Sequence, residues 1–225
     1  MPKPLRSNGV GSIRGANGAI IDLKGTPLRY GKDTAPLGYA EEKAIVEFEA
    51  KVQNAKKEHV LIVAADGTIL EETKGTAQSA SVSESALIKA DALTHNHPRN
   101  GDEKGMLGGT FSLADTDNMV NYDNLHTIRA IAPEGVYSMT KGARWDPLGF
   151  ESYYHAKHFE AQLDYNGKAA AINGAYKRGE LSRKEYIKKA HKAGNEYMVR
   201  LHNILLAGAS TYGYTYGLEK RRTNG

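Results

Sequence analysis

The spacing of hydrophobic positions changes several times along the chain, and each change marks an element. From Tyr39 to Lys57, YAEEKAIVEFEAKVQNAKK, the residues Ile45, Phe48, Val52 and Ala55 recur at three and four, which predicts a helix with one apolar face. HVLIVAADGTILEE then reads as two strands joined by an Asp66-Gly67 turn. SVSESALIKA predicts a short helix, and DALTHNH a strand that delivers its last residues to the edge of a sheet. SLADTDNMVNYDN predicts a helix opening at Ser112, and HTIRAIAPEGVYSMTKG a second hairpin turning at Pro133-Glu134-Gly135. Helices and strands alternating over residues 37–142 imply one α/β domain around a mixed sheet flanked by helices.

The flanks have a different texture. Residues 1–36 are rich in glycine and turn formers, with one short apolar run, AIIDL, so an extended or strand-like arm is expected. After Trp145-Asp146-Pro147, residues 151–207 read as two or three helices, with Ser182 and Glu185 spaced as a capping box at the start of the last long one. On that helix Ile187, Ala190, Gly194, Tyr197, Leu201, Ile204 and Leu205 form an apolar stripe, to be covered by the α/β domain or by a partner subunit. The tail TYGYTYGLEKRRTNG fits a packed turn with a frayed end; its aromatic and basic residues also suit stacking on nucleic acid bases. The expected organisation is an N-terminal arm (1–36), an α/β domain (37–145) and a basic helical C-terminal extension (146–225).

Composition narrows the chemistry. Of 225 residues, 40% are hydrophobic and 25% charged, near the globular average. No apolar run approaches the ~18 residues that span a bilayer, and no apolar stretch follows the basic residues of MPKPLRSNGVGSIRG. A soluble, cytoplasmic protein without a secretory signal is therefore expected. Cysteine is absent, which removes disulfides, thiolate nucleophiles and cysteine-based zinc sites. Any transition metal must sit on histidine and carboxylate. The net charge of +4 is unevenly spread: residues 166–225 hold 12 Lys and Arg against 4 Asp and Glu, leaving 18 against 22 for the rest. That basic extension is either a solvated helix surface or a contact for an acidic partner such as nucleic acid.

The densest chemistry lies in THNHPRNGDEKGMLGGTFSLADTDN, residues 94–118. Side chains two apart on a strand share a face, so His95 and His97 can reach one ion while Asn96 points away. A catalytic zinc takes three protein ligands and leaves a position for water. Asp115, one turn into the helix that opens at Ser112, can be the third. Ser-x-x-Asp is equally the pattern of an N-terminal capping arrangement, so ligand and cap both remain open for Asp115.

HNHP followed by SLAD resembles the His-x-His-Pro and Ser-x-x-Asp signature of the JAMM (JAB/MPN) metalloproteases, including their RadC-like branch, over about residues 38–142. The resemblance implies a JAMM/MPN-like, cytidine-deaminase-like mixed sheet with zinc on His95, His97 and Asp115. It implies Ser112 as an oxyanion stabiliser. The family's general base is a glutamate just before a central hydrophobic strand, and Glu58 stands there, abutting the run from His59 to Ala65. The implied activity is hydrolysis of a peptide or isopeptide bond in a protein, in a bacterial or phage setting. This sequence departs from the pattern in one place: Pro98 to Phe111 spans fourteen residues, longer than the family's stretch, so substrate recognition does not carry over. Loop closure costs grow slowly with length, so the ligands are little affected.

Other residues compete for these roles. Glu41 or Glu42 is the reserve base, with Glu47 and Glu49 mostly on the polar side of the same helix; Glu71 and Glu72 are expected to face solvent. Asp117 would replace Asp115 only by breaking the Ser-x-x-Asp spacing. His59 and His126 are expected to be structural, and His155, His158, His191 and His202 to lie on solvated helix faces. Three adjacent letters HNH do not make an HNH nuclease, and a zinc nucleobase deaminase needs cysteines. The rival from another class is a non-catalytic module of the same fold whose basic C-terminus binds nucleic acid or docks into a larger assembly.

Overall fold

The computed structural model describes residues 6–7, 12–14, 20–22, 37–77, 79–98 and 106–219. Three short strands, β1 (Arg6–Ser7), β2 (Ser12–Arg14) and β3 (Ile20–Asp22), pair antiparallel in order and account for the AIIDL run. The main body follows as α1 (Tyr39–Val52), β4 (His59–Val63), β5 (Ile69–Lys74), α2 (Glu84–Leu87), β6 (Ala92–Asn96), α3 (Leu113–Asn121), β7 (Thr127–Ala132), β8 (Gly135–Lys141), α4 (Pro147–Lys177), α5 (Arg183–Tyr212) and β9 (Tyr214–Glu219). Six strands form one mixed sheet in the order β5-β4-β6-β7-β8-β9, in which only β6 and β7 are parallel. A parallel pair needs a crossover, and α3 supplies it.

Alternation along each strand sends side chains to two cores. Leu61, Val63, Ala92, Ile131 and Val136 meet Ile45, Phe48 and Val52 of α1 on one face. Val60, Ile62, Leu93, Ile128, Ala130, Tyr137 and Met139 meet the other helices on the opposite face. Two long helices, α4 and α5, followed by β9, form the described part of the C-terminal extension. The predicted stripe divides: Leu201, Ile204 and Leu205 are buried against the sheet, whereas Ile187 and Ala190 lie only partly covered on a hairpin that continues past it.

Three expectations change. The first helix stops at Val52 rather than Lys57; Ala55 donates its N–H to the Val52 carbonyl, and the chain turns there to feed β4. The tail is not a packed turn. Gly213, at φ 73°, caps α5 in the left-handed region, and Tyr214–Glu219 becomes a full strand on β8, burying Tyr214, Tyr216 and Leu218. The last two arginines, Arg221 and Arg222, lie outside the described residues. Glu49 is buried rather than on a polar face. It accepts from Arg129 Nε of β7 at 2.6 Å, and Arg129 reaches on to Glu219 of β9 at 3.2 Å, tying α1 to two strands.

Arg129→Met would leave the Glu49 carboxylate buried without its cation, an effect of ~3–5 kcal/mol. Denaturant titration is expected to show that loss for the single variant and substantial recovery for Arg129→Met with Glu49→Leu; an equal loss in both would contradict the pairing.

Candidate metal centre

The ladder between β4 and β6 is antiparallel, pairing Val60 with His95 and Leu61 with Thr94. Continued outward by two residues, that register sets Glu58 opposite His97. Residues opposite in such a pair share a face, so His95, His97 and Glu58 all project on the face of Val60, opposite α1, at the carboxyl end of β6. In open α/β sheets that is where ligands bind. His97 lies one residue past β6 but keeps the ladder's direction, its N–H donating to the Ile131 carbonyl at 2.9 Å.

Asn96 points to the other side, as expected, and has a task there. Its Oδ1 accepts from the His59 N–H at 2.8 Å and its Nδ2 donates to the Lys57 carbonyl at 3.2 Å. One side chain thereby clamps the backbone on both sides of Glu58. Nothing in the local sequence announces this, because the clamp exists only once β4 lies beside β6.

The two readings of Ser112 and Asp115 turn out to be one arrangement. Ser112 is the N-cap of α3; its Oγ accepts from the Asp115 N–H at 3.3 Å, while Asp115 Oδ2 accepts from both the N–H and the hydroxyl of Ser112 at 2.7 Å. This capping box occupies Oδ2 and leaves Oδ1 toward His95 Nε2, 3.5 Å away. His95 Nε2 and His97 Nε2 are 2.9 Å apart, and the ligand atoms of all three residues lie within 4.8 Å of one another.

Zinc bonded at ~2.0–2.1 Å in a tetrahedron has ligand atoms about 3.3 Å apart, so these separations suit a single small ion. Two nitrogens and one oxygen also match its donor preferences. His97 donates from Nδ1 to the carbonyls of Gly108 and Gly109 at 3.0 and 3.1 Å, which keeps the proton off Nε2 and turns that lone pair inward. The buried Nδ1 of His95 makes no hydrogen bond of ordinary geometry; the backbone of Arg129 is the group on that side.

The electrostatics are those of a concentrated, partly buried polar cluster. Burial pushes the His95 ring below its ordinary pKa, against the pull of Asp115. Burial works against ionisation of Asp115, but His95, His97 and the two hydrogen bonds from Ser112 outweigh it and hold the carboxyl below its usual range. Glu58 moves the other way. Burial raises its pKa and the negative Asp115 adds to this, while His97 and the backbone N–H of Ala80 partly offset it.

The competing residues lie elsewhere. Asp117 turns from the centre to pair with His155 on α4 at 2.7 Å, and Glu151 joins them in a second group, partly exposed, whose geometry would also admit an ion. Glu71 accepts from Ser83, and Glu72 pairs with Lys51. His59 stands at the start of β4, and His126 pairs with Asp91 at 2.6 Å on the surface. His158 meets the Tyr197 hydroxyl at 3.2 Å. His202 is not on a solvated face: it is fully buried, with Nδ1 2.8 Å from the Tyr216 hydroxyl.

Glu41, the reserve base, is buried at the far end of the sheet facing Asp91, a full strand length from His97, and cannot serve. Burial, then the neighbouring Asp91, push its carboxyl up to about 7. A carboxyl whose folded pKa is raised favours the fold while protonated. That contribution is complete below the unfolded value of ~4.3 and is lost as pH rises toward 7. Glu41→Gln should therefore melt higher than the parent at pH 8 and differ little at pH 4.5; thermal unfolding at the two pH values checks this, and no pH-dependent gain would contradict it.

No protein-family model, no curated protein and no solved structure matches this chain.

Proposed function

We propose that this chain is a zinc-dependent hydrolase of the JAMM type that cleaves a peptide or isopeptide bond in a protein. The observation that carries the reading is the convergence of His95, His97 and Asp115 on one point, with Glu58 opposite His97 across the strand pair. It is strengthened by the separation of roles: His97 and Asp115 are oriented as ligands by other hydrogen bonds and His95 by its burial, while Glu58 approaches from the neighbouring segment and keeps a carboxylate that is not a ligand.

Bound zinc supplies a Lewis acid that brings the pKa of water to about 7. Glu58 accepts the proton of the attacking water and returns it to the leaving nitrogen. Its raised pKa makes it a stronger base toward that water than an ordinary carboxylate. Ser112 is exposed at the positive end of α3 beside the ligands. A hydroxyl has one proton to donate, so bonding to the developing oxyanion requires releasing Asp115 Oδ2, which the Ser112 N–H continues to hold. One such donor is typically worth ~3 kcal/mol in the transition state.

Zinc analysis is expected to give one equivalent for the parent chain and loss of the metal in His95→Ala, His97→Ala and Asp115→Ala. Glu58→Gln should keep its zinc while cleavage of peptide or lysine-linked substrates falls by ~10²-fold or more. Full zinc with no hydrolysis of any amide would favour the non-catalytic module.

One observation supports a nucleic-acid role beside the hydrolase. At the turn between α4 and α5 the cations Lys177, Arg178, Arg183, Lys184, Lys188 and Lys189 are exposed, and among the described residues only Arg178 has an ion-pair partner, Glu180. If this surface holds phosphates, affinity for DNA should fall steeply with salt, and Lys184→Glu with Lys188→Glu should flatten that dependence. Salt-independent or absent binding would dismiss it.

A further inference from the structure

Glu134 was expected only as the middle of a hairpin turn, yet it is 2% exposed, a rare position for a carboxylate. Its oxygens face the end of the long loop. Oε2 accepts from the Gly108 N–H and Oε1 from the Gly109 N–H, each at 3.0 Å, and the Tyr137 hydroxyl donates to Oε1 at 2.8 Å. The Gly109 N–H and the Gly108 carbonyl belong to the same peptide group. That carbonyl accepts from His97 Nδ1 at 3.0 Å. A continuous path therefore runs from the Glu134 carboxylate through one amide to the imidazole of a proposed metal ligand.

We infer that Glu134 is the remote carboxylate of the metal centre, a positioning residue that acts on His97 through the Gly108–Gly109 peptide group. Metal-binding histidines commonly donate their second ring N–H to a carboxylate or carbonyl, which fixes the tautomer and makes the ligating nitrogen more basic. Here the two devices are in series. A negative charge on the N–H side of an amide draws its dipole into line and makes its carbonyl a stronger acceptor. The carbonyl then holds the proton on Nδ1 and leaves the Nε2 lone pair for the ion.

The surroundings hold that amide in place. A Cβ on Gly108 would sit 2.5 Å from Pro133 Cδ, and one on Gly109, at φ +84°, would sit 2.4 Å from Met198 Sδ. At Gly108 the obstacle is Pro133 and Ala132, close to the backbone; at Gly109 the Met198 chain could give way, but the left-handed φ disfavours any other residue. Asn195 of α5 accepts from the Leu107 N–H at 2.8 Å on the other side. The loop from Pro98 to Phe111 thus returns to the site with its last residues set by the β7–β8 turn and by α5.

This inference rests on the zinc reading of His95, His97 and Asp115, and the test separates the two. Long-range ¹H–¹⁵N correlation spectra of the metal-free parent report the tautomer of His97 directly and are expected to show the proton on Nδ1. In Glu134→Gln the Nε2–H form should appear, and zinc affinity, measured by competition with a chelator, should fall ~10- to 100-fold. Melting temperatures identify any variant that is merely unfolded. The parent spectrum stands without any variant: an Nε2–H tautomer there overturns the inference. So does a Glu134→Gln protein that folds, keeps the Nδ1–H form and binds zinc as the parent does. A parent chain that binds no zinc overturns the site reading, and this inference with it.

Discussion

The register between β4 and β6 is the constraint on which the candidate site depends. A strand's side chains alternate with a period of two, so a slip of one residue would send the whole set to the opposite face. With Val60 against His95, the apolar residues of β4 fill both cores and Glu58 arrives on the same side as the two histidines. Any other register that kept the core would bury Glu58 under α1 or move it along the strand. The hydrophobic pattern of β4 and the reach of its glutamate are therefore set by one and the same pairing, and Asn96 secures it at the end where pairing would otherwise fray.

The opposite face is secured by charge instead of apolar packing alone. Arg129, one strand over, is held between Glu49 and Glu219, and Thr94 donates to Glu49 as well. These groups come from α1, β6, β7 and β9, so the segments before and after the sheet's centre meet at one guanidinium. A planar, permanently charged group suits two carboxylates at once. The same central strands thus carry an ion-pair network on one face and the proposed ligands on the other.

Capping chemistry and ligand chemistry coincide at α3. A helix start needs its free N–H groups satisfied, and Ser112 and Asp115 do this reciprocally. The by-product is a carboxylate with one oxygen engaged and one presented, which is the state a metal ligand requires. The partly exposed pair of Asp117 and His155 shows what happens two residues later, where the helix turns the next aspartate toward α4 and away from the sheet.

Much of this was legible in the chain itself, because it rests on local signals. Period and turn residues located α1, both hairpins, the strand ending in His-Asn-His and the capping boxes at Ser112 and Ser182; the two-residue spacing of His95 and His97 already implied a shared face. What tertiary structure decided was everything that depends on which strand lies beside which. TYGYTYGLE carries glycine and looks like a turn, and it is a strand only because β8 offers an open edge. Glu49 and His202 look like surface residues of amphipathic helices until Arg129 and Tyr216 are brought to them. Glu134 looks like an ordinary turn residue, since apart from Tyr137 the groups that bind it are 25 and 26 residues away, at the end of a loop whose last residues bond to α5. Hydrophobic periodicity is a property of neighbours in sequence, whereas the pairing of buried polar groups is a property of neighbours in space.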